Sequence, residues 1–417
     1  MISPRGLSVE RFGMEVKMET KHKTEVRQLY AGSYNAPVLT GDGTIFCGDG
    51  KGITRYEFDE STGELLERES LPEAQNASWM ALSSDGKRLY AVNELDDYEG
   101  TKGGALSAYE VKRDGSLRFL NRLPVMGAAP CHVDCAPKGQ RAKQVYTANY
   151  NGGSMSAFRL REDGSLESLE YVLQHSPEPL SGSLSDGSYP QCAPQKLPHV
   201  HSSSIFGGLL WITDLGLDTV EAYRPEDFFE NRYPEKSSPH ADRFRLLPPR
   251  PLLRLHLPEG CGPRSLAFLA HRIFVSCELS NEVAVLESDG AELTLLQKIS
   301  ALPEEKRTDV IQREEMKNHV GGILLSPDQR YLYVGNRGYD TIAVFAVEKS
   351  GLVPLQQAPS GGRNPRGFCL SPSGRWLLSA NQDSGNLVVM KRDEKTGLLS
   401  LSGEYEARSV VCLLFAD

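Results

Sequence analysis

The stretch Gly362–Arg392, GRNPRGFCLSPSGRWLLSANQDSGNLVVMKR, decides how the rest of the chain is read. It divides into three short strands. Asn364-Pro365-Arg366 leads into an apolar run, Gly367–Leu370. Pro372-Ser373-Gly374 then makes a tight turn, because proline presets φ and glycine accepts a positive φ. A second run, Trp376–Ala380, ends in Asn381-Gln382. Asp383-Ser384-Gly385 turns the chain into a third, alternating run, Asn386–Lys391.

The same order recurs along the chain. First strands open at Asn76-Ala77-Ser78, Pro130-Cys131-His132, His199-Val200-His201, Gly262-Pro263-Arg264 and His319-Val320-Gly321. The matching second strands close at Asn93-Glu94, Asn149-Tyr150, Asp214-Leu215, Cys277-Glu278 and Asn336-Arg337, and an alternating strand follows each. With Gly362–Arg392 this makes six complete units. A seventh, in residues 28–72, lacks its first strand, and the isolated apolar run Ser409–Phe415 supplies one. The pattern predicts an all-β fold, a seven-bladed β-propeller of four-stranded antiparallel blades, with the ring closed by the C-terminal strand joining the N-terminal blade. Residues 1–27 read as a polar N-terminal extension. Residues 28–417 read as a single propeller domain with a Ser-, Pro- and Gly-rich insertion at 175–197 and a proline-bearing, charged one at 225–251.

The 417 residues carry a formal charge of −9 with both signs interspersed, which argues against general nucleic-acid binding. Eight cysteines occur without a C-x-x-C pair or zinc-type spacing, the usage of unpaired thiols in a reducing compartment. No run of about 18 apolar residues is present, so no transmembrane span is expected. The N-terminus carries no apolar run of signal-peptide type. The expected location is cytoplasmic.

Hairpin geometry brings the openings of the first strands and the ends of the second strands to one channel mouth, a concave site. Asn or Asp recurs there in blade after blade (Asn93, Asn149, Asp214, Asn336, Asn381) and reads as a turn cap. The imidazole, carboxylate and guanidinium groups differ between blades, as a site grafted on a symmetric scaffold should: Glu94, His132, His199, His201, Arg264, Glu278, His319, Arg337, Arg366 and Gln382. Three guanidinium groups suit a phosphorylated or carboxylated small molecule, and a His or Glu beside them suits general acid–base chemistry. His199 and His201, two apart on one strand, share a face, but no third metal ligand has matching spacing. A phosphate loop, a G-x-S-x-G elbow and a dinucleotide fingerprint are all missing from the sequence, so no metal or organic cofactor is expected.

At these residues the sequence resembles the lactonase family of seven-bladed propellers, which includes propeller-type 6-phosphogluconolactonases and fungal carboxymuconate cycloisomerases. The matching segments include LYAGSY (Leu29–Tyr34), LSSDGKRLYAVNE (Leu82–Glu94), GAAPCHV (Gly127–Val133), TANYNGG (Thr147–Gly153), PHVHS (Pro198–Ser202), GPRSLAF (Gly262–Phe268), NPRGF (Asn364–Phe368) and SANQDSGN (Ser379–Asn386). The resemblance implies hydrolysis of 6-phosphoglucono-δ-lactone, an anionic lactone, to 6-phosphogluconate in pentose-phosphate metabolism. It implies His199 or His201, Arg264, Glu278 and Arg337 at the site; the expected catalytic groups are His201, Glu278, Arg264 and His199, with His201 or Glu278 as the base and His132 in reserve. Arg337, Arg366, Gln382, Asn149 and Glu94 are the expected substrate contacts. A lactonizing cycloisomerase would use the same arginines with a proton donor, another sugar-lactone hydrolase would use them on a different ring, and a non-catalytic binding propeller would favour an apolar mouth. Family members usually carry an acidic residue near Gly321-Gly322, where this chain has two glycines.

Overall fold

Short strands joined by tight Gly turns pair with their sequence neighbours, since closing a short loop costs little entropy. In a computed structural model, which describes residues 25–40, 43–136, 144–176, 197–229, 249–306 and 318–416, that local pairing is followed throughout. Among the described residues the strands form seven four-stranded antiparallel sheets and one two-stranded hairpin. Residues 1–24, the turn at 137–139, and most of both insertions (177–196 and 230–248) lie outside the described residues.

Blade one runs, from the channel outward, Val410–Ala416, Val26–Ser33, Ile53–Asp59 and Leu65–Leu71. The other six inner strands are Ala77–Leu82, Pro130–Cys135, Val200–Phe206, Pro263–Leu269, His319–Leu325 and Pro365–Leu370, in blades two to seven. The expected ring closure is therefore present: Gln28 pairs with Ala416 and Leu29 with Phe415, from opposite ends of the chain.

Burial explains the composition of each layer. Second strands such as Gln144–Asn149 and Trp376–Asn381 are buried on both faces, because each blade packs against two neighbours. Outer strands such as Leu399–Glu406 alternate with solvent. The core is a series of interblade clusters. Leu29, Phe58 and Phe415 of blade one meet Trp376, Leu387 and Val389 of blade seven across the closure, and the Trp376 indole donates to the Glu60 carbonyl at 3.0 Å.

Two details differ from the sequence expectation. The first strand starts at Val26, inside the segment read as an extension, because Val26 and Arg27 still pair with Asp59 and Phe58. A hairpin of Pro37–Leu39 and Ile45–Cys47 emerges from blade one, with Val38 and Phe46 packed on Tyr34 and Val411.

At Gly32 blades one and two approach so closely that an added Cβ would overlap the Ala77 carbonyl oxygen and the Cys412 sulfur. Gly32→Val is expected to lower unfolding stability by about 1–3 kcal/mol or more, read from urea midpoints.

Candidate active site

In every blade the inner strand carries one residue more than its partner at the same end. The register slips between Pro130 and His132, Val200 and Ser202, Pro263 and Ser265, and Pro365 and Gly367. It slips again between Ala77 and Met80 and between Val320 and Ile323, and on blade one between Gly32 and Ser33, opposite Cys412 and Val410. The extra residue of such a bulge is unpaired and its side chain is re-aimed. Around the ring the bulge residues are Val411, Ser78, Cys131, His201, Arg264, Gly321 and Arg366. At the ends of the second strands come Tyr34, Glu94, Tyr150, Leu215, Glu278, Arg337 and Gln382, Arg337 as the last strand residue and the others just after it, and these form a second ring. The site is built where these two rings meet.

Glu278 is the hub of one half. Its Oε2 lies 2.9 Å from Arg264 Nε and 2.6 Å from Arg337 Nη2, and its Oε1 lies 3.6 Å from His319 Nδ1. Burial pushes the Glu278 carboxyl up, but Arg337, Arg264 and His319 together outweigh it and hold it below the usual range. Burial, with Arg337 next, pulls the Arg264 guanidinium down to about 10, so it remains charged at neutral pH. The other half lies across the ring. Tyr34 donates its hydroxyl to Glu94 Oε2 at 2.9 Å, Arg366 Nη2 approaches the same oxygen at 3.6 Å, and the Arg366 guanidinium lies over the Tyr34 ring at 5.3 Å.

The histidines differ in environment. His201 is buried beside Tyr150, whose ring meets it edge-on at 5.5 Å, and its Nδ1 is 3.8 Å from the Cys131 sulfur. Burial first, then Arg264, Arg366 and Arg337, hold His201 well below its ordinary value, so it is neutral at pH 7. His199 stacks on Tyr150 at 4.5 Å, and its Nδ1 lies 3.1 Å from the Tyr150 carbonyl. As the donor in that contact, Nδ1 leaves Nε2 as the accepting nitrogen. The two imidazoles reach Tyr150 differently because the bulge breaks strand alternation between them; they do not share a strand face. Cys131 is buried among these charges, and burial pushes its thiol far up, which makes it a poor nucleophile.

Three expected site residues stand outside the cluster. His132 packs tilted against Trp79 at 4.8 Å, with the Ser203 amide donating to its Nδ1 at 3.3 Å. Asn149 is fully buried and bonded to Ser154 and Ser156. Gln382 lines a groove with Phe46, Asp49 and Arg408, between blade seven and the 37–47 hairpin. The recurrent cap residues behave as scaffold: Asn93, Asn149, Asp214, Asn336 and Asn381 are all completely buried.

Sequence reading passed over Tyr34 as a partner of Glu94 and missed a buried network behind His199. Asp214 Oδ1 accepts the His199 amide at 2.8 Å, and its Oδ2 meets His175 Nδ1 at 2.8 Å. The other His175 nitrogen faces Glu221 at 3.6 Å, and Arg254 holds Glu221 at 2.9 Å. His175 falls at the edge of an insertion, and nothing in its spacing signals this contact. Among the described residues there is no group of three His, Cys, Asp or Glu side chains arranged to hold a metal.

Comparison with known proteins agrees with this fold. The family model described as "Lactonase, 7-bladed beta-propeller" matches residues 28–415. The chain belongs to that lactonase family. Among its relatives, a 6-phosphogluconolactonase of Bacillus subtilis is 31% identical, over 86% of this chain and 92% of its own length. Among solved structures, a putative 6-phosphogluconolactonase from Bacteroides uniformis is 30% identical with a TM-score of 0.71, covering 94% of this chain and 99% of that one. A periplasmic gluconolactonase of Pseudomonas aeruginosa is 27% identical with a TM-score of 0.73, at the same coverage. The resemblance read from the sequence is thus borne out for family and fold.

Burial holds the His132 imidazole near 3, against an ordinary 6.5. The unfolded chain therefore takes up a proton below 6.5 that the folded chain refuses, and stability falls as pH drops, by about 1.4 kcal/mol per pH unit for this group. Urea midpoints measured from pH 7 down to about pH 5 should fall less steeply in His132→Gln than in the wild type.

Proposed function

We propose that the protein hydrolyses 6-phosphoglucono-δ-lactone to 6-phosphogluconate at this mouth, using side chains alone. The observation that carries the reading is the pairing of Arg264 and Arg337 on Glu278 beside a neutral, buried His201. The relatives named as 6-phosphogluconolactonases support the choice of lactone.

In this reading the guanidinium groups bind the anionic substrate and polarise the lactone carbonyl. His201 takes a proton from water as the water oxygen attacks that carbonyl. The oxyanion of the tetrahedral intermediate forms against Arg264. As the intermediate collapses, the ring C–O bond breaks and the protonated His201 returns its proton to the departing ring oxygen. Glu278 is a positioning residue here, because its oxygens are committed to two guanidinium groups and His319. A lactonizing cycloisomerase would need a proton donor at this point, and an imidazole kept neutral by burial and then by three arginines is poorly suited to that. The charged mouth is equally unlike the apolar rim of a non-catalytic binding propeller. The unpaired, mostly buried cysteines fit a reducing, cytosolic setting within pentose-phosphate metabolism.

Freshly generated 6-phosphogluconolactone should be hydrolysed faster than its spontaneous rate. Arg264→Ala and His201→Gln should each lower kcat by about 10²–10³. Because His201 is neutral well below 6.5, kcat/KM should stay flat from about pH 7.5 down to 5.5, with no inflection at the usual histidine value. Turnover of a carboxylated muconate without lactone hydrolysis would overturn the reading.

A further inference from the structure

Six of the seven bulge positions carry a side chain, and the seventh, in blade six, is Gly321. In ring order Gly321 stands between Arg264 and Arg366. Those two guanidinium groups, two blades apart, still act on each other electrostatically. A Cβ built on Gly321 would meet nothing closer than 3.4 Å, its nearest neighbours being the Pro365 carbonyl oxygen and the Arg337 Cγ and Cδ. Its φ is not in the left-handed region, so the backbone does not require glycine here. Close packing does not require it either, in contrast to Gly32.

The gap is bordered by Arg264, Arg337 and Arg366; Glu278 pairs with the first two and Glu94 approaches the third at 3.6 Å. Three positive charges against two negative ones leave the border net positive, which suits an anionic group such as a phosphate monoester. The opposite side of the ring, Val411, Ser78 and Cys131, offers no cation.

We propose that the space over Gly321 is an anion subsite that receives the phosphate monoester of the substrate, held by Arg337 and Arg366. Arg264, on the side nearer His201, is left for the reacting carbonyl. The lactone then lies across the mouth from blade six toward blade four. The glycine sets the specificity: any side chain occupies the phosphate position, and an acidic one also cancels its field. This subsite rests on the lactonase reading above, but it makes a separate claim about which end of the substrate lies where.

The test uses Gly321→Asp and its uncharged isostere Gly321→Asn, both of which the open Cβ position should tolerate. Phosphorylated and unphosphorylated gluconolactone are compared by kcat/KM, and binding of 6-phosphogluconate and of inorganic phosphate is followed by calorimetry. The ratio of phosphorylated to unphosphorylated kcat/KM should fall at least about tenfold in Gly321→Asp, and phosphate binding should weaken in parallel. A smaller fall in Gly321→Asn assigns the effect to charge, an equal fall assigns it to bulk, and either supports the subsite. An unchanged ratio in both variants, with phosphate bound as in the wild type, overturns it. If the protein hydrolyses no lactone, calorimetry alone decides: phosphate binding lost in Gly321→Asp keeps the subsite although the lactonase reading has failed, and binding retained removes both.

Discussion

One extra residue at the head of each inner strand is the constraint on which the site depends. In a propeller blade without bulges, side chains of the inner strand point alternately into the two interblade interfaces, and only backbone faces the channel. The bulge takes one residue per blade out of that alternation and turns it to the axis. Seven repeats of this device give seven independent positions around one mouth, on strands held by interblade cores such as Leu29, Trp376 and Phe415. The scaffold residues repeat because every blade needs them. The bulge residues are free to differ, and Cys131, His201, Arg264, Gly321 and Arg366 do differ.

Concentrating three guanidinium groups in a buried mouth would be costly if they were left unneutralised. The two carboxylates are divided between them. Glu278 takes Arg264 and Arg337, while Glu94, steadied by the Tyr34 hydroxyl, faces Arg366. What remains is a fixed positive field, aimed inward and already organised before a ligand arrives, which is the arrangement that stabilises developing negative charge most effectively. The same field adds to burial, the larger cause, in keeping His201 unprotonated.

The architecture was legible in the sequence because each unit is short and locally paired: turn residues, apolar runs and the orphan strand near residue 410 were sufficient for the blade count and the closure. The clustering of Glu278, Arg264, Arg337 and His201 followed from strand direction alone. What escaped was anything dependent on a register slip or on long-range burial. Strict alternation put His199 and His201 on one face, and the bulge separates them. Hairpin geometry put His132 at the mouth, whereas its ring packs on Trp79, although Arg264 still acts on it electrostatically. Asn149 sits next to Tyr150 in the chain, yet its amide is consumed inside its own blade by Ser154 and Ser156. The His175–Asp214–Glu221 network joins residues 39 and 46 positions apart from His175, with no periodic signal to connect them.

The closure of blade one bears on biosynthesis. Val411, one of the seven residues around the mouth, belongs to the strand Val410–Ala416, which pairs with residues made at the very start of the propeller. Blades two to seven each contain all four of their strands in order and can form as the chain emerges. Blade one must wait, with the edge of Val26–Ser33 unpaired, until residues 410–416 have been synthesised. The ring keeps an open seam until that strand pairs, and the mouth is completed last, by the step that joins the earliest and latest parts of the propeller.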